Sequence, residues 1–139
     1  MTKEQIEQMV RYWQIQLRLQ NWVIAVRWDV TPSASDAAAQ VNKIDGRYYA
    51  SVRFCPDILE YEDMEEVSLY VCHELTHLHL NQIWHTVEIL LRDKGGCVIS
   101  HDFIADLNKL ICRDIEHATD ALSTAFTIAL PYSKELDGR

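Results

Sequence analysis

Residues 70–80 read YVCHELTHLHL. Valine, cysteine and leucines recur through this stretch at helical spacing, yet three histidines and a glutamate are set among them. Positions 73 and 77 lie four residues apart, so on a helix they share one face, one turn above the other. The stretch is an H-E-x-x-H pattern, His73-Glu74-Leu75-Thr76-His77. Two imidazoles at that spacing reach a single ion, and zinc accepts neutral imidazole nitrogen. Glu74 stands one position on, beside such an ion and not on it. From there it is placed to take a proton from a water activated by zinc and to return it to a leaving amine. His79 follows His77 by two residues, about 200° around the helix, and is expected to face elsewhere.

A catalytic zinc with three protein ligands keeps a fourth place open. Spacing alone leaves Glu116, His117, His101, Asp102, His85 and Glu88 as candidates for the third ligand. Glu116 has Asp120 four positions on. A carboxylate so placed can hold a zinc histidine by its other ring nitrogen. On a helical wheel, Ile104, Leu107, Ile111, Ile115, Ala118, Leu122 and Ala129 form the main apolar stripe. Glu116 lies at its edge, beside Cys112, Thr119 and Ser123.

Working outward, Asp63 with Glu66 three positions later predicts a capped helix start, and the acidic run from Glu60 to Glu66 suits the positive end of the dipole. That helix is expected to reach about Leu80, followed by a second helical stretch over about Trp84 to Arg92, closed by Gly95-Gly96. The final long helix is expected from His101 to Leu130, where Pro131 stops it. Upstream, Ile6, Met9, Val10, Trp13 and Leu17 mark an amphipathic helix over Lys3–Leu19, with Thr2 and Gln5 as a capping box. WVIAVRWDV reads as a strand. A polar linker and a hairpin with an Asp45-Gly46 turn come next, then the strand YYASVRF ending at Pro56. The expectation is an α+β domain over residues 1–131. It comprises an N-terminal helix, a small mixed sheet of about three strands, the H-E-x-x-H helix and a long C-terminal backing helix, with 132–139 as a tail.

Composition bounds the rest. The chain has 139 residues, 48% of them hydrophobic, enough for one buried core. A formal charge of −8 disfavours broad nucleic-acid binding. With neither an apolar run long enough to span a membrane nor a signal-like N-terminus, the expected location is the cytoplasm, with no membrane partner. Cys55, Cys72, Cys97 and Cys112 show no C-x-x-C spacing and read as reduced, mostly packed thiols.

HELTH together with the later EHATD resembles the gluzincin metallopeptidases, and within them the small single-domain minigluzincins of phages, prophages and bacteria. The leading helix and the strands WVIAVRW and YYASVRF give looser support, so the likeness spans most of residues 3–130. The resemblance implies a zincin-like fold and a Zn2+ held by His73, His77 and Glu116. It implies Asp120 behind His73, Glu74 as general base, and a peptide or protein substrate paired along the YYASVRF strand. Larger gluzincins carry an Asn before the ligand Glu, where this chain has Ile115, and a second domain that donates an oxyanion-binding Tyr or His. Tyr132, His117, Tyr48 or Tyr49 are the substitutes available here. Without such a donor, hydrolysis slows by about two to three orders of magnitude. Two other readings stand beside the peptidase. One is a non-hydrolytic or latent zinc-binding accessory protein. The other is a relative of phage-repressor-cleaving metallopeptidases, with Glu88 or His85 as third ligand.

Overall fold

The structure is a computed structural model that describes residues 1–28, 38–44, 47–95 and 100–132. It is α+β, with three long helices and a three-stranded mixed sheet among the described residues. Helix α1 spans Lys3–Gln16. Its capping box forms as expected: the Gln5 amide donates to Thr2 Oγ1 at 3.3 Å and the Thr2 amide to Gln5 Oε1 at 2.8 Å. Ile6, Met9, Val10 and Trp13 are buried, and the Trp13 indole N–H donates to Ser68 Oγ at 2.8 Å.

The helix stops before the expected Leu19. Arg18 adopts a left-handed φ of 58°, the Leu19 amide donates to Gln14 C=O, and the Arg18 amide donates to Ile15 C=O. This double bond closes the helix with a left-handed residue, a role usually given to glycine. The turn folds Leu17 and Leu19 back onto the core instead of carrying them along the helix axis.

Strands β1 (Val23–Arg27), β2 (Ala39–Lys43) and β3 (Tyr49–Phe54) pair in the order β1-β3-β2. β1 runs parallel to β3 and β2 antiparallel to it. Ala50, Val52 and Phe54 of β3 point into the core and are fully buried. The YYASVRF strand is therefore the centre of the sheet, paired on both sides. It has no main-chain groups left for a substrate, which corrects the expected pairing along it. The edge strands are β1 and β2, and β2 is the one that packs against α2. Its bonds to β3 involve Ala38 and Ile44. By the alternation of an antiparallel ladder, Ala39, Val41 and Lys43 turn their main-chain groups outward. The Asp45-Gly46 turn, the polar linker over 29–37 and residues 133–139 of the tail lie outside the described residues.

After a short 3-10 turn over Pro56–Glu60, α2 spans Met64–Gly95 without interruption. Asp63 Oδ1 accepts from the Glu65 and Glu66 amides, at 2.8 and 3.3 Å. The expected break between Leu80 and Trp84 is absent. No Gly or Pro occupies 81–83, and Asn81 hydrogen-bonds one turn back to His77 instead of unwinding the chain. Helix α3 spans His101–Ala129 and is capped by Ser100, whose Oγ accepts from the Phe103 amide. Contacts between α2 and α3 run in reverse order, Trp84 with Asn108, His77 with Thr119 and His73 with Asp120, so the helices are antiparallel.

The buried core is built from α1, the sheet, the 3-10 turn and α2 as far as Leu78; of α3 only Phe126 packs against it. Of the stripe expected to be α3's inner face, Ile104 is buried but Leu122 is 39% exposed, while Thr119 and Ser123 are buried. The helix is thus turned toward its small polar residues, which let it approach α2 closely. No described helix is long and apolar enough to cross a membrane.

Candidate metal centre

The α2–α3 pairing brings two i,i+4 pairs face to face: His73 and His77 on α2, Glu116 and Asp120 on α3. His73 Nε2 and His77 Nε2 are 3.1 Å apart. Glu116 places Oε1 3.2 Å from His77 Nε2 and Oε2 3.5 Å from His73 Nε2. A tetrahedral ion with bonds of about 2.0–2.2 Å separates its ligand atoms by about 3.4 Å. The three edges of this triangle match that separation. Among the described residues, His73, His77 and Glu116 are the group whose donor atoms converge in this way.

Hydrogen bonding decides which ring nitrogens face inward. His73 Nδ1 lies 3.1 Å from Asp120 Oδ1, a group that only accepts, so the neutral ring carries its proton there. The Thr119 hydroxyl donates to Ile115 C=O at 2.7 Å and leaves a lone pair toward His77 Nδ1 at 3.5 Å. The side chain of Asn81 adds another hydrogen bond to His77. These contacts leave both Nε2 atoms and the Glu116 carboxylate turned toward one another. A cation at their centre would engage all three at once. The donor set of two nitrogens and one carboxylate fits zinc.

The other third-ligand candidates do not join. Glu88 lies three turns beyond His77, about 16 Å along the helix. His101 and Asp102 begin α3, far from the Glu116 level. His117 is exposed, and His85 lies two turns past His77. His79 turns away as expected and makes a 2.7 Å contact with Leu17 C=O, tying α2 to the end of α1. Cys72 is buried packing, its thiol pushed up to about 12 by burial. Cys55 and Cys112 are free thiols, and Cys97 lies outside the described residues.

A cavity of about 290 Å3 opens beside the cluster, lined by residues that include Ala39, Tyr61, Tyr70, His73, Glu74 and Asp120. The His77 and His73 side chains are 9% and 20% exposed, against 56% and 69% for Glu116 and Asp120, so the site is closed at α2 and open along α3. Of the four expected oxyanion donors, Tyr132 meets Tyr12 edge to face, Tyr48 meets Trp22 edge to face, Tyr49 lies in β3, and none of them or His117 lines this cavity. Sequence reading passed over Tyr61, Tyr70 and Thr119. For Tyr70 a signal existed, since it lies three residues before His73 on the same helix. Its hydroxyl donates to Glu66 Oε1 at 2.8 Å.

Glu74 points toward β2. Burial drives its pKa up to about 8; a hydrogen bond from the Val41 main chain opposes that rise, and the Glu116 carboxylate adds to it. Burial lowers His77, against the pull of Glu116. Both shifts carry a consequence for the metal-free protein. Glu74 stabilises the fold below its usual 4.5, and that contribution is lost as pH rises to about 8. His77 acts oppositely, but only below its usual 6.5. Between 6.5 and 8 the Glu74 loss is unopposed, on the order of 2 kcal/mol. Thermal melts in chelator are expected to fall across that window, and the slope is expected to vanish in Glu74→Gln.

Thr119 yields a second expectation. Thr119→Val keeps volume but removes the lone pair facing His77, and is expected to weaken zinc binding roughly tenfold, with Thr119→Ser near the parent. Chelator competition measures it. Parent-like affinity in Thr119→Val would mean that the hydroxyl only packs.

The chain matches no known family model, no curated protein and no solved structure.

Proposed function

We propose that this protein is a zinc-dependent peptidase of the gluzincin type, with a zincin-like fold reduced to one sheet and three helices. His73, His77 and Glu116 hold the metal, and Asp120 fixes His73. The observation that carries this reading is the convergence of two imidazole nitrogens and a carboxylate, 3.1–3.5 Å apart, from two different helices. A divalent cation there supplies a Lewis acid for water and for a carbonyl.

The chain's own residues do the rest. Glu74 is one residue from a ligand, half-buried, and held by the Val41 main chain, so its carboxylate is aimed and partly dehydrated. A nearby positive charge brings its pKa down from about 8 toward the range in which a carboxylate exchanges protons near neutrality. An extended peptide finds its pairing partner in β2, since the Ala39 main chain points outward and Ala39 lines the cavity.

One observation favours a non-hydrolytic zinc protein instead. Of the two tyrosine hydroxyls at the cavity, that of Tyr70 is already committed to Glu66 and is not offered to an oxyanion. Elemental analysis combined with turnover on a peptide library separates the readings. One zinc per chain with chelator-sensitive cleavage supports the peptidase. Zinc without cleavage supports the binding protein. No divalent metal bound after incubation with zinc sinks both.

A further inference from the structure

Beyond the core, α2 and α3 continue side by side as a two-helix arm. Trp84 and Ile104 are buried within it, and the Trp84 indole N–H donates to Asn108 Oδ1 at 2.8 Å. The apolar residues flanking them are not buried. Ile83, Val87 and Leu90 repeat at i, i+4 and i+7 along α2 and are 65%, 39% and 54% exposed. Phe103 and Leu110 on α3 are 56% and 50% exposed, with half-buried Leu107 between them. The α2 stripe lies about 170° around its helix from Glu74, about 115° from His77 and about 75° from His73, and the α3 stripe about 130° around from Glu116 and Asp120. Both stripes also lie more than a turn along the arm from those residues, so they fall outside the metal cleft.

We infer that this arm face is the interface of a homodimer, in which two helix pairs pack as a four-helix bundle. The exposed apolar surface of these side chains is roughly 600 Å2, at the upper limit of what a typical monomer leaves in water. Two copies joined on it bury about 1,200 Å2, the lower bound for a specific stable interface. A helix pair bearing parallel apolar stripes is complementary to a second copy of itself across a two-fold axis, so no other partner is needed to cover it. The same packing would cover Phe103, Leu107 and Leu110, which the fold leaves outside its own core. Both metal clefts stay open, on the outer sides of the assembly.

Sedimentation of the full chain between about 1 and 100 µM tests this, a range that covers the weak end of specific association. A concentration-dependent dimer is expected, and Leu90→Glu or Phe103→Asp is expected to weaken it about thirtyfold or more. Both positions are exposed, so helicity by circular dichroism stays at the parent level. Ile128→Glu, exposed at the opposite end of α3, is expected to leave the dimer intact. A parent chain that is monomeric throughout overturns the inference, as does a dimer that survives both arm substitutions or one that Ile128→Glu dissolves.

Discussion

Glu116→Ala is expected to abolish stoichiometric zinc binding, while Glu88→Ala leaves it at the parent level. Glu116 alone brings a carboxylate to both imidazoles, within 3.5 Å of one and 3.2 Å of the other. Removing it leaves two nitrogens from one helix and an ion with two of its places open to water. The loss is expected to exceed the roughly 10–100-fold that loss of a supporting partner costs. Asp120→Ala falls within that smaller range, because it frees the His73 ring without deleting a ligand. Glu88, about three turns away, has no route to the ion. Metal content after dialysis, with chelator competition for the weaker sites, reads all three. Zinc retained in Glu116→Ala and lost in Glu88→Ala would transfer the third-ligand role and dismantle the α2–α3 site.

Glu74→Gln is expected to bind zinc as the parent does and to lose peptide hydrolysis by about two to four orders of magnitude. The substitution is nearly isosteric, and the amide oxygen still accepts from the Val41 main chain, so cleft and metal persist. What disappears is the capacity to take and return a proton. Its pKa explains why the metal and the base are coupled. Burial, opposed by the Val41 hydrogen bond and reinforced by Glu116, raises the Glu74 carboxyl to about 8, and a cation nearby would bring it down and favour the basic form. Turnover of Glu74→Gln equal to the parent's would remove Glu74 from the chemistry.

The residues of the site were legible because helical spacing is local. His73 and His77, and likewise Glu116 and Asp120, declare a shared face within five residues. Bringing the two pairs together is not local, and the alternatives Glu88 and His85 could be dismissed only with α2 seen as one straight helix. The sheet shows the same divide. β3 alternates cleanly and β2 carries Gln40 and Asn42 on its other face, but which strand is central depends on pairing across the chain. Thr119 is legible in the sequence only as a neighbour of Glu116 at the edge of the stripe, because a threonine there reads as packing. Its value lies in a hydroxyl already spent on Ile115, which fixes the lone pair that it shows to His77.

The near-exclusion of α3 from the buried core has a consequence for cohesion. Below the arm, this helix meets the rest of the molecule mainly through Thr119, Ser123 and the His–Glu–Asp contacts, and buries little oil of its own. An ion held between α2 and α3, as proposed, would then act as a clasp as well as a reagent. Its binding energy is available to the folded state alone. Chelation is expected to speed amide hydrogen exchange in α3 well before α1 and β3 respond, so that loss of the metal reads out as a loosened helix on an intact core.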